Sequence, residues 1–139
     1  MLMGDTSFRR RSSVLRKRSR GFTLIELLVV LAIVALLASI ALPRYFNSLD
    51  RARETVMKED LRVMRSSLDK FYQDTGHYPA TLDELVQKHY LAAIPPDPIT
   101  RSESTWVTVA SPDANIEGIF DVKSGAAGDT KDGQSFSEL

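Results

Sequence analysis

The chain has 139 residues, room for one small domain, and its 18 Lys and Arg balance 18 Asp and Glu. The balance hides a split: residues 1–21 carry seven basic side chains against Asp5 alone, and the rest carries 11 basic and 17 acidic ones. An acidic remainder argues against nucleic-acid binding, which needs a basic face, and the absence of cysteine excludes a disulfide framework and any thiol chemistry.

The basic start leads into Phe22–Leu42, an apolar run broken only by Thr23, Glu26 and Ser39. As a helix it would be about 31 Å long, one hydrocarbon core. A secretory signal has a shorter apolar region followed by a small-x-small cleavage site, and no such site precedes Pro43. The small residue placed for processing is Gly21, ahead of the apolar run, so a cut there would remove the basic leader and leave the span on the product. Glu26 is the anomaly. A carboxylate in hydrocarbon costs several kcal/mol and marks function. Either it snorkels to the headgroups, or it finds a positive partner. A chain cut after Gly21 would supply one, the free amine of Phe22.

The stretch "RGFTLIELLVVLAIVALLASIALPRYF" resembles the N-terminal signature of type IV pilins and type II secretion pseudopilins. The resemblance implies cleavage between Gly21 and Phe22 by a prepilin peptidase, which also N-methylates Phe22. It implies a homo-polymeric helical filament in which the Phe22 amine of one subunit meets Glu26 of the next and sets the register. The fold it implies is α+β and type IV pilin-like: a long N-terminal α-helix, transmembrane in its first half, packed on a small head with a short helix and a small antiparallel β-sheet.

Pro43 removes a backbone donor and is expected to kink or interrupt the helix. Beyond it Tyr45, Phe46, Leu49, Ala52, Val56, Leu61, Met64, Leu68, Phe71 and Tyr72 recur at mostly three- and four-residue steps, an amphipathic helical stripe facing a core. Glu54 and Lys58 form an expected i,i+4 pair. The helix should end near Gln73, with Gly76 past its end and Pro79 forbidding continuation. Gly76, His77, Tyr78 and Pro79 also fit the Gly-x-Tyr-Pro element of the pseudopilins.

Thr81 and Glu84 make a capping-box pair opening a short helix with Leu82, Leu85, Val86 and Tyr90 on its apolar face. "LAAIPPDPIT" reads as a proline-stiffened connector. Two β-prone runs, 105–110 and 118–124, predict an antiparallel pair with Trp106 and Phe120 anchoring the core. The tail is glycine-rich and polar. The expected organisation is a cleaved leader over 1–21, a transmembrane and assembly helix over 22–42, the amphipathic half of the helix over 43–76, and a periplasmic head over 77–139.

The C-terminal third, with "DVKSGAAGDTKDG", is most similar to the major pseudopilin of type II secretion, whose C-terminal loop binds calcium. That implies a calcium site drawing on Ser124, Asp129 and Asp132, with Asp121, Asp113 and Glu117 as further donors, although the family's tighter Ser-x-Gly-x-Asp-Gly spacing is stretched here. No catalytic residue is expected: His77 and His89 fall in a turn and at a helix end, and no phosphate-cradling loop, zinc spacing or nucleophile elbow is present.

The functional expectation is a structural subunit, not an enzyme. It sits single-pass in the bacterial inner membrane with its head in the periplasm, and polymerises into a periplasmic pseudopilus that drives protein export across the outer membrane. Its expected partners are copies of itself, the prepilin peptidase/methyltransferase, minor pseudopilins, the inner-membrane assembly platform and the membrane, with no nucleic acid. A surface pilus subunit is the related alternative. A monomeric membrane-anchored binding module, uncleaved and indifferent to Glu26, is the alternative from another class.

Overall fold

A computed structural model describes residues 20–139. The basic leader expected over residues 1–21 therefore lies, up to residue 19, outside the described residues. Two compact units divide at Ser39/Ile40.

Helix α1, Leu24–Thr75, enters both. In the first unit its side chains face outward. The large apolar side chains from Leu24 to Leu42 are more than half exposed, and the most apolar 18-residue window has a mean hydropathy of 2.9 with none of it buried. This is a helix long and apolar enough to cross a membrane. Helical structure continues through Pro43, so the proline does not interrupt α1. Its missing N–H deprives the Ser39 carbonyl of its helical donor.

In the second unit α1 buries one stripe: Met57, Leu61, Met64, Leu68 and Phe71, each at most 1% exposed. The alternating steps of four and three keep these side chains on one face. The expected stripe was too long at its start. Tyr45, Phe46 and Val56 are exposed, and the buried residues in that stretch are Met57 and, against its chemistry, Glu54. The expected Glu54–Lys58 pair does not form, because the Glu54 carboxylate turns inward and accepts the Lys131 N–H at 2.8 Å. The ion pairs within α1 among the described residues are Asp50–Arg53 and Glu59–Arg62. The helix stops as its sequence dictates: Gly76 takes φ +77 and its N–H reaches the Tyr72 carbonyl at 2.8 Å.

Helix α2 is Leu82–Gln87. Thr81 caps it by accepting the Glu84 N–H, while the Glu84 carboxylate reaches back to the Ala80 N–H at 2.9 Å. Leu82 and Leu85 face the core. The connector then folds around Asp97, which is fully buried. Its carboxylate accepts the Ile99 and Thr100 N–H groups at 2.7 and 3.2 Å and the Ser124 hydroxyl at 2.7 Å. Three donors offset much of the cost of burying the charge.

Strands β1, Trp106–Ala110, and β2, Ile119–Ser124, pair antiparallel with a bulge between Val109 and Ala110. Trp106 is buried as expected, with its indole N–H on the Pro95 carbonyl at 2.7 Å. Phe120 is not a core residue: it is 44% exposed, and Ile119 and Val122 are buried in its place. The bulge shifts the register beside Ile119 and changes which side chains meet the core. Phe120 instead stands edge-on to Tyr78 at 5.6 Å.

The glycine-rich tail is folded. Asp129 and Ser135 form a bridge, Thr130 and Gln134 close the turn, and a 3-10 segment, Phe136–Glu138, buries Phe136 in the core. The head is thus α+β, a helical stripe under a two-stranded antiparallel sheet.

Candidate functional site

The N-terminal end of α1 carries the residues singled out by the sequence. Thr23 and Glu26 cap the helix reciprocally. The Glu26 carboxylate accepts the Thr23 N–H at 2.9 Å and the Thr23 hydroxyl at 3.0 Å, and the Glu26 N–H reaches the Thr23 hydroxyl oxygen at 3.2 Å. This is a capping box, and it satisfies helix donors that have no partner within the helix. The role of Thr23 escaped the sequence reading, although the Thr-x-x-Glu spacing was its signal. Glu26 is exposed and bonded only to its own turn, so its charge has no positive partner within this chain among the described residues.

Phe22 is 90% exposed. With Ile25, Glu26, Val29 and Val30 it borders an open groove of about 300 Å³, apolar except at the carboxylate. Gly21 needs no special conformation: a side chain there would meet nothing within 4 Å. The fold gives no reason for glycine at that position.

The residues expected around calcium are placed differently from one another. Ser124 is buried, and its hydroxyl donates to Asp97 and accepts the Ala126 N–H at 3.0 Å. Gly125 lets the backbone come close enough for its N–H to reach the Thr105 carbonyl at 2.9 Å, where a Cβ would strike that oxygen. Asp129 and Asp132 are exposed on the C-terminal turn. Among the described residues no three Asp, Glu, His or Cys side chains converge as metal ligands. Ser124 is thus engaged with Asp97 and Ala126, while Asp129 and Asp132 are exposed.

Comparison with known proteins bears on the same N-terminal segment. Residues 16–42 match the family model described as the prokaryotic N-terminal methylation motif. That motif leads into a long apolar helix, followed by a head with a small antiparallel sheet. This is a type IV pilin-like fold. The chain is similar to type II secretion system core protein G of Pseudomonas aeruginosa, 38% identical over 76 residues, 52% of this chain and 54% of the relative. It is similar also to the core protein G of Klebsiella michiganensis, 33% identical over 82 residues, 59% and 58% of the two chains. The type IV major pilin protein PilA of Myxococcus xanthus is 33% identical over 75 residues, 54% of this chain and 34% of that one. The chain spans little more than half the length of the core G relatives it matches. No solved structure matches it.

Proposed function

We propose that the chain is a structural pseudopilin subunit of a type II protein secretion system. The observation that carries this reading is the methylation motif on a span that buries none of its apolar side chains within its own chain. Such a surface needs lipid before assembly and other subunits after it. A peptidase cut between Gly21 and Phe22 frees an amine. In a helical stack that amine can approach Glu26 of a neighbouring subunit, and the pair neutralises two charges in a medium where leaving either alone costs about 3–5 kcal/mol. The subunit sits in the inner membrane with its head in the periplasm, and Pro43 weakens the helix where subunits crowd. Its role is structural and not enzymatic, and its partners are the peptidase/methyltransferase, minor pseudopilins and the assembly platform.

N-terminal mass spectrometry of the cellular protein tests the class. A mature chain starting at methylated Phe22 supports it; an intact Met1 rejects it in favour of an uncleaved membrane-anchored module. Glu26→Leu should abolish fibres while leaving the span inserted, and fibres of unchanged helical parameters would reject the register role. The similarity to a pilin keeps a surface fibre as the second reading. Fibres on intact cells favour it, and co-purification with secretion-channel components favours the pseudopilus. Calcium binding is a separate proposal resting on the resemblance alone. It would use Asp129 and Asp132 with main-chain carbonyls of the C-terminal turn. A melting temperature raised by calcium and restored by chelator supports it, and an unchanged one rejects it.

A further inference from the structure

The cations just past the apolar run have no part in the function proposed above. Arg44 comes two positions after Leu42, and Arg51 lies about two helical turns further along α1. Together with Asn47, Ser48 and Lys131 they line a notch of about 470 Å³. Lys131 comes from the C-terminal turn, 84 positions from Asn47, and is fastened there. Its N–H donates to Glu54 at 2.8 Å, and its ammonium lies 3.2 Å from Asp50 and 3.5 Å from Asn47 Oδ1. Asp50 is shared with Arg53 at 3.6 Å. Among the described residues, the guanidinium groups of Arg44 and Arg51 have neither an ion-pair nor a hydrogen-bond partner. No carboxylate is among the lining residues, and the one at its edge, Asp50, is taken up by Lys131 and Arg53.

We propose that this notch binds the phosphate of an anionic phospholipid headgroup. The proposal rests on the reading of Phe22–Leu42 as a membrane span, which puts Arg44 at headgroup level and Arg51 about 13 Å past Leu42, where a helical side chain leans back toward the N-terminal end of the helix and so toward the headgroups. Two free guanidinium forks match phosphate oxygens, and the Asn47 amide and Ser48 hydroxyl add neutral donors. Arginines flanking a span often reach headgroups unaided. What makes this a site is the third cation, delivered by a distant turn and held in place. Each arginine should contribute about fivefold to the preference for an anionic lipid, from about 1 kcal/mol per basic residue near a charged surface.

The test uses the full chain in nanodiscs of mixed phosphatidylglycerol and phosphatidylcholine, with lipid retention read by native mass spectrometry. The expected result is retention of phosphatidylglycerol over phosphatidylcholine. Arg44→Gln/Arg51→Gln and Lys131→Gln should each lower that preference, and Lys70→Gln/Lys88→Gln should not. Equal retention of the two lipids, or equal loss in the control variant, overturns the proposal. Saturable shifts at Arg44, Arg51 and Lys131 on adding inorganic phosphate in lipid-free detergent would mark a free-anion site and overturn the lipid assignment. Cross-linking of the notch to a carboxylate of a second copy, without lipid preference, would do the same. A chain that inserts but shows no preference sinks this proposal alone. A chain that stays out of the nanodisc sinks the span reading with it.

Discussion

Asp97 concentrates the chemistry of the head at one atom group. It is fully buried, and Ser124 is the donor to its second carboxylate oxygen. Ser124→Ala should therefore destabilise the full chain by about 2 kcal/mol, the range for a hydrogen bond to a charged group, read as a lower urea midpoint at unchanged slope. Asp60 lies on α1 and is partly buried. Burial, then the charges of Glu59 and Asp97, push its carboxyl above the ordinary range. A folded value above the unfolded one means the folded state holds the proton more tightly. Stability is then lost as pH rises from the ordinary carboxylate value, about 3.9, through the raised one. Asp60→Asn should accordingly raise the melting temperature at neutral pH. The gain should vanish below about pH 3, where Asp60 is protonated in both states. A gain that persists in acid would point to packing and not charge.

At the scale of elements, α1 shows what periodicity can and cannot locate. The stripe from Leu61 to Phe71 was legible because a helix repeats its face every three or four residues and the apolar positions follow that repeat. Where the stripe begins was not legible. Val56 and Met57 are both apolar neighbours; Met57 keeps the step of four to Leu61 and is buried while Val56 is not, and the burial of Glu54 depends on the distant Lys131 N–H that its carboxylate accepts. Leu68→Ala should cost about 2–5 kcal/mol, as for other fully buried leucines. Val56→Ala should stay within about 0.5 kcal/mol in the isolated chain, as exposed substitutions do. Denaturation of both variants in detergent checks the pair. Strand β2 gives the same lesson with period two: β-prone residues located the strand, and a bulge at Phe120 itself, which has no partner between Ile119 and Asp121, moved that side chain off the core.

The head as a whole must close without disulfides, a handicap for a small domain. It closes with polar ties across long sequence separations. Arg65 holds Asp121 at 2.7 Å through Nε, and its Nη2 donates to the Val122 and Leu139 carbonyls at 2.9 and 2.5 Å. This one side chain binds α1 to β2 and to the last segment. Arg65→Ala should speed hydrogen exchange in residues 136–139 and in β2. Arg65→Lys should recover less than half the protection, because an ammonium lacks the planar fork that reaches three acceptors. Full recovery by lysine would reduce the tie to simple charge.

The sequence by itself determined the features that are local. A basic start, a glycine, a 21-residue apolar run and one acid near its beginning need no folded context to be read, because helix length, hydropathy and capping depend on near neighbours. The same is true of the stop at Gly76 and the cap at Thr81. Only the tertiary structure decided how distant groups meet: Ser124 on Asp97, Lys131 on Glu54 and into the notch with Arg44 and Arg51, Arg65 on Asp121. Those partners lie 27 to 77 positions apart in the hydrogen-bonded pairs. No periodicity reports such pairings, since they depend on where the chain returns in the folded head.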